Sequence, residues 1–121
     1  MSSEYSWSIY QSYAHGTVRW RNFQNLSNNK NTWPIPVLLR LPIYPVDAAR
    51  QGVDGEAKVE FTVTEAGMIS AINIWAAHPM FESAVQQEVQ LWRFEPGVDL
   101  VTRLPAETRM SLTVVFKVES E

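Results

Sequence analysis

The sequence predicts an α+β domain: two helices packed on one face of a three-stranded antiparallel sheet of strand order 2-1-3, with an extra N-terminal β-hairpin. Three observations carry this. "EAKVEFTVT" alternates strictly between apolar and polar residues, the pattern of a strand with one buried and one wet face. Phe81, Val85, Val89 and Trp92 recur at close to helical spacing, which makes one apolar stripe. "MSLTVVFKVE" alternates again near the C-terminus.

The elements follow in chain order. The first 33 residues are rich in aromatics, Ser and Asn. In "YSWSIYQSY", Tyr5, Trp7, Ile9 and Tyr13 share one side; in "TVRWRNF", Val18 and Trp20 oppose Arg19 and Arg21. With Ala14-His15-Gly16 as the turn, this reads as a β-hairpin. "QNLSNNKNT" is a polar loop, so the chain divides into residues 1–33 and 34–121. In "PVDAARQG", Pro45 suits the first turn of a short helix and Gly52 the position just past its end. Ala57, Val59, Phe61 and Val63 form the buried row of the next strand. Glu65-Ala66-Gly67 is a hairpin turn, and "MISAINIW" is the return strand. Ile69 and Ile72 are out of phase there, so a bulge near Ser70 and Ala71 is expected. Pro79 opens the second helix, which runs through Trp92 until Pro96-Gly97 ends it. Trp92 and Phe94 then plug one core if the chain extends between them, and Arg93 points outward as a solvated charge or C-terminal cap. Finally, Met110, Leu112, Val114, Phe116 and Val118 face the core. The hairpin and one crossing helix bring this last strand beside the first, at the edge of the sheet.

Composition narrows the function. The net charge of −3 argues against nucleic acid. Without cysteine there is neither a disulfide framework nor a thiolate metal site. His15 and His78 have no ligand-spaced companions, Ser residues lack a Gly-x-Ser-x-Gly setting, and no Gly-rich phosphate loop is present. No metal, cofactor or enzymatic activity is therefore expected. Met1-Ser2-Ser3-Glu4 is not expected to open a signal peptide, since no basic segment precedes an apolar run, and no apolar run of this sequence is long enough to span a membrane.

The ordered set Tyr44-Pro45, Ala48, Gly52, Gly55, Phe61, Gly67, Trp92-Arg93-Phe94-Glu95-Pro96 and Phe116 resembles the C-terminal domain of the TonB family over residues 41–118. The resemblance implies a non-enzymatic periplasmic module that transduces energy for uptake. Its partners would be TonB-dependent outer-membrane transporters, gripped through a TonB-box peptide near their N-terminus. It would be driven by an inner-membrane motor complex, through an anchor segment absent from this chain. The grip is strand addition at the edge of the last strand, where backbone hydrogen bonds supply affinity. Carried onto this sequence, the edge is Ser111, Leu112, Thr113, Val114, Val115, Phe116, Lys117 and Val118. Side-chain contacts would come from Leu39, Arg40, Leu41, Pro42 and Ile43 before Tyr-Pro. The family has glutamines there, whereas this chain has Leu41 and Ile43. The N-terminal hairpin is not a family feature. It offers an alternative: an unanchored structural or regulatory relative whose own hairpin caps the edge and whose aromatic layer makes a homodimer.

Overall fold

The structure is a computed structural model that describes residues 10–13, 16–27 and 30–118. In chain order the elements are β1 (Tyr10–Tyr13), β2 (Gly16–Asn25), β3 (Ile35–Leu38), α1 (Val46–Arg50), β4 (Gly55–Val63), β5 (Ile69–Ala76), α2 (Pro79–Val89), β6 (Arg93–Glu95), β7 (Gly97–Val98), β8 (Pro105–Ala106) and β9 (Thr108–Val118). Tyr5, Trp7, Ile9, Ala14 and His15, assigned above to the hairpin, lie outside the described residues.

The main sheet has five strands in the order β1-β2-β9-β4-β5. This corrects the expected three-stranded sheet. β5, β4 and β9 lie side by side within it, but the last strand is interior, because β2 pairs along its other side. The physical reason lies in β2 itself. Val18, Trp20 and Phe23 are buried at 0%, 4% and 3% exposure, so the strand brings an apolar row as well as hydrogen bonds. Residues on both sides of position 33 consequently share one core. A bulge makes the row possible. Asn22 takes φ 56°, a left-handed conformation that Asn tolerates better than most residues. The register slips between Arg21 and Gln24, and Phe23 turns to the face of Trp20.

A second bulge lies where the phase of the isoleucines required it. Ala71 has φ 50°, and the β4–β5 register shifts between Glu60 and Thr62. Ile69, Ile72 and Ile74 all pack against the core as a result. Arg109 holds this bulge from two strands away. Its guanidinium donates to Ala71 O at 2.6 Å and to Thr62 Oγ1 at 3.0 Å.

The helix α2 stops at Val89, earlier than its apolar spacing suggested. Leu91 N and Trp92 N reach back to Glu88 O and Val89 O at 2.9 and 3.1 Å, a tightened last turn. From Arg93 the chain is extended and pairs with β3. Trp92 and Phe94 thus enter one core, at 0% and 4% exposure. Trp92 meets Trp20 and Phe61 edge-on at 5.5 and 5.6 Å between ring centroids, a favoured aromatic geometry. Arg93 caps the helix instead: Nη1 donates to Trp92 O at 2.7 Å and Gln90 O at 3.2 Å. The replacement Arg93→Ala should cost about 0.5–1 kcal/mol, the scale of a cation at a helix C-terminus, measured by urea unfolding.

Candidate functional site

The last strand was expected to offer a free backbone edge at residues 111–118. Both of its sides are used. Against β2 the register runs from Gly16↔Val118 to Asn25↔Met110, and against β4 from Gly55↔Phe116 to Val63↔Thr108. The side chains follow the same logic. Met110, Leu112, Val114 and Phe116 are buried on the inner face. On the outer face Ser111 and Val115 are also buried, at 4% and 8% exposure, while Lys117 is exposed. Arg21 and Glu56 form an ion pair across the outer face, from the two strands that flank β9. The edge is closed by the chain's own hairpin.

The segment before Tyr-Pro has a different setting. Arg40 O accepts the Trp92 indole N–H at 2.8 Å, and Arg40 Nε lies 3.6 Å from Glu88 Oε2. Leu39 and Leu41 pack partly buried against the core, and Pro42 is buried. Ile43 is 61% exposed. It joins Val46, Met80 and Ala84 in lining a groove of about 600 Å³ between α1 and α2, rimmed by Asp47 and Glu88. The two halves of the expected site therefore have different surroundings. One is embedded in the sheet; the other is tied to α2 and the end of that helix.

The motif residues prove to be packing devices. The Tyr44 ring is edge-on to Phe81 and Phe116 at 6.0 and 5.6 Å, and its hydroxyl donates to Val53 O at 2.7 Å. Phe81 and Phe116 stack at 4.4 Å. At Gly55 an added Cβ would lie 2.4 Å from the Phe81 ring, so the strand can approach the helix there only without a side chain. Phe61 is wholly buried between Trp92 and Phe94, and Gly52 ends α1 at φ 68°.

Burial, and secondarily the charge of Asp54, push the Tyr44 phenol above its ordinary value. A raised folded-state value means that stability from the neutral phenol is complete below about pH 10 and is lost as pH rises through the raised value. An alkaline unfolding series should show this loss, and Tyr44→Phe should flatten it.

Sequence reading missed the β3–β6 pairing. The signal was present in "WPIPVLL", since prolines in an apolar run suit an edge strand rather than an interior one. It also missed the role of the polar loop. Asn31 Nδ2 donates to Glu107 O at 2.9 Å and Thr108 Oγ1 at 3.2 Å, fastening the loop to the start of β9. Among the described residues, no three His, Asp or Glu side chains gather into a metal-binding group, and no helix is long and apolar enough to cross a membrane.

Residues 40–118 match the family described as Gram-negative bacterial TonB protein C-terminal. Protein TonB of Pseudomonas aeruginosa is 40% identical over 65 residues, 52% of this chain and 19% of that protein. Protein TonB of Yersinia enterocolitica is 35% identical over 92 residues, 73% of this chain and 32% of that protein. The chain thus spans less than a third of the length of these curated relatives. The fold is similar to the solution NMR structure of the Pseudomonas aeruginosa TonB C-terminal domain. The TM-score is 0.62 at 27% identity, covering 84% of this chain and 99% of that one.

Proposed function

The chain belongs to the TonB C-terminal family, a family of non-enzymatic interaction modules, and on that premise we propose that it grips an extended peptide of outer-membrane transporters. The module works in the periplasm. The peptide adds as a strand beside β9, and force from an inner-membrane motor passes through the domain to the transporter. The observation that supports this most is β2, which lies antiparallel along β9 from Gly16↔Val118 to Asn25↔Met110, as an added strand would.

The hairpin must leave for a peptide to take that place. Its removal uncovers Val18, Trp20 and Phe23, each worth about 1.5–3 kcal/mol of burial. Together they approach the whole stability of a small domain, about 5–15 kcal/mol. Backbone hydrogen bonds, at about 0.5–1.5 kcal/mol net each, merely exchange one strand for another. A competing peptide therefore has to carry apolar side chains in the register of Val18, Trp20 and Phe23. One feature lowers the threshold: the Trp20 indole N–H is buried without a hydrogen-bond partner among the described residues, which costs about 1–3 kcal/mol.

The same burial favours a second reading, in which the hairpin is a permanent cap and the chain is a structural or regulatory relative. A reversible lock separates the two. The chain has no cysteine, so Thr17→Cys with Lys117→Cys, a cross-strand pair of β2 and β9, introduces the only thiols. Transporter N-terminal peptides are titrated while amide NMR is recorded. Peptide-induced shifts at residues 111–118 and 39–43 should appear in the reduced protein and vanish on oxidation. Shifts that persist on oxidation place the peptide away from β9. No response of the reduced protein at millimolar peptide would sink capture and leave the permanent cap.

A further inference from the structure

The buried rows of the main sheet share one core with α1 and α2. Its other, outer face has a charge opposite to that of the chain. The chain carries −3, yet alternation places Arg19, Arg21, Lys58, Arg109 and Lys117 on this face against Glu56 and Glu60. Arg21 is paired with Glu56, and Arg109 is engaged at the Ala71 bulge. Arg19, Lys58 and Lys117 are exposed, and among the described residues none of them has an ion-pair partner. The bulge in β2 adds polar groups to the same face. Bulges commonly re-aim a side chain, and this one leaves Arg21, Asn22 and Gln24 all exposed. Asn22 and Gln24 line a polar cavity of about 230 Å³ together with Lys58, Ser111 and Thr113. Trp75 stands beside it, opposite Lys58 in register and 53% exposed, with Lys58 Nζ 5.8 Å from its ring centroid.

We infer that this face docks an acidic, extended peptide segment of a partner protein, with one carboxylate in the cavity and an apolar side chain against Trp75. The cavity supplies what a carboxylate needs. One ammonium, two side-chain amides and two hydroxyls surround it, and all can donate. Among the described residues, none of these five side chains is committed to a hydrogen bond or ion pair. The spacing of the cations favours an extended chain over a single small anion. Lys117 opposite Thr17, Arg19 opposite Val115, and Lys58 opposite Thr113 occupy three successive outer rows, about 7 Å apart. Each cation lies on β9 or on a strand beside it. A segment lying over β9 with acids at alternate positions has the same repeat and meets one cation per row. Trp75 favours a peptide over an acidic polysaccharide. Lys58 stands over its ring, on a face that a sugar would stack against, whereas an apolar side chain needs only the ring's remaining surface. The site is built from three strands: Asn22 and Gln24 on β2, Ser111 and Thr113 on β9, and Lys58 on β4. It therefore exists only while β2 is paired, and its occupant holds the hairpin in place. It is distinct from capture beside β9, which needs the hairpin to leave.

The test titrates the whole chain with a short synthetic peptide of alternating glutamate and serine that ends in leucine, while amide spectra are recorded. Shifts are expected at Arg19, Lys58, Thr113 and Lys117 and at the Trp75 indole, and they should fade as salt is added. The same peptide with glutamine for glutamate should cause none. Arg19→Gln with Lys58→Gln should weaken binding about tenfold, the loss of two exposed ion pairs. Arg50→Gln, on α1 across the core, should bind as the unmodified chain does. All three residues are exposed, so the variants should fold, and their amide spectra check this. Hydrogen exchange of the β2 amides should slow as the peptide binds, because the site requires β2 in place. Polygalacturonate, an acidic polysaccharide, should leave this face unchanged. An outer face that shows no shifts at millimolar acidic peptide overturns the inference. So do equal shifts with the glutamine peptide, undiminished binding by the double variant, or β2 exchange that stays as fast with the peptide bound. Tighter binding of polygalacturonate than of the peptide also overturns it and makes the ligand a glycan. None of these outcomes depends on capture beside β9, which the thiol lock decides separately.

Discussion

Replacing Trp92 by alanine should lower unfolding free energy by about 3–5 kcal/mol, the range for deleting a buried large aromatic. Three separate elements lose a partner at once. The indole is wholly buried. It meets Trp20 on β2 and Phe61 on β4 edge-on, and its N–H satisfies Arg40 O on the segment before α1. The cavity cannot close easily, because the contacting rings stand on strands whose spacing is set by the ladder. Urea unfolding by far-UV circular dichroism gives the change in midpoint, and an unchanged slope confirms that stability alone has moved. A loss below about 1 kcal/mol, the ordinary cost of a random substitution, would contradict the central place given to this residue.

The second large effect concerns Gly67 in the β4–β5 turn. Its φ is +80°, and an added Cβ would fall 1.9 Å from Phe94 O. The backbones are also joined there, since Phe94 N donates to Gly67 O at 2.9 Å. Gly67→Ala therefore strains the turn and pushes it off the extended chain after α2. Left-handed strain costs about 1–3 kcal/mol and a lost hydrogen bond about 0.5–1.5 kcal/mol, so a loss of about 2–4 kcal/mol is expected. Gly52 is the internal control. It has φ +68°, with nothing within 4 Å of the would-be Cβ. Gly52→Ala should show the same conformational cost alone, about 1–3 kcal/mol, without the lost hydrogen bond. Equal losses at the two glycines would mean that the contact between turn and Phe94 contributes nothing.

Most of the family core was legible because local rules and tertiary outcome agree. The alternation from Ala57 to Val63, the stripe of Phe81, Val85 and Val89, and the phase slip between Ile69 and Ile72 each describe one element's own surface. The bulge at Ala71 followed from that phase alone. The end of α2 was less legible. Trp92 continues the helical spacing and Phe94 the extended one, so the pattern alone leaves the boundary open, and it falls at Val89. The candidate site was the least legible part. Whether residues 111–118 form an edge depends on what lies beside them, not on their own pattern.

The sequence by itself determined two helices, three alternating strands and the aromatic plugs, because periodicity states which side of each element must be buried. It also contained the material for the closure, in Val18, Trp20 and Phe23. Only the tertiary structure decided which strand that apolar row would cover. Strand pairing is a contest among all the edges a chain possesses. Here β2 won the place beside β9, because it buries three apolar side chains with its hydrogen bonds. That one pairing turned the expected docking edge into the interior of the sheet and, among the described residues, left β5 at its long outer side.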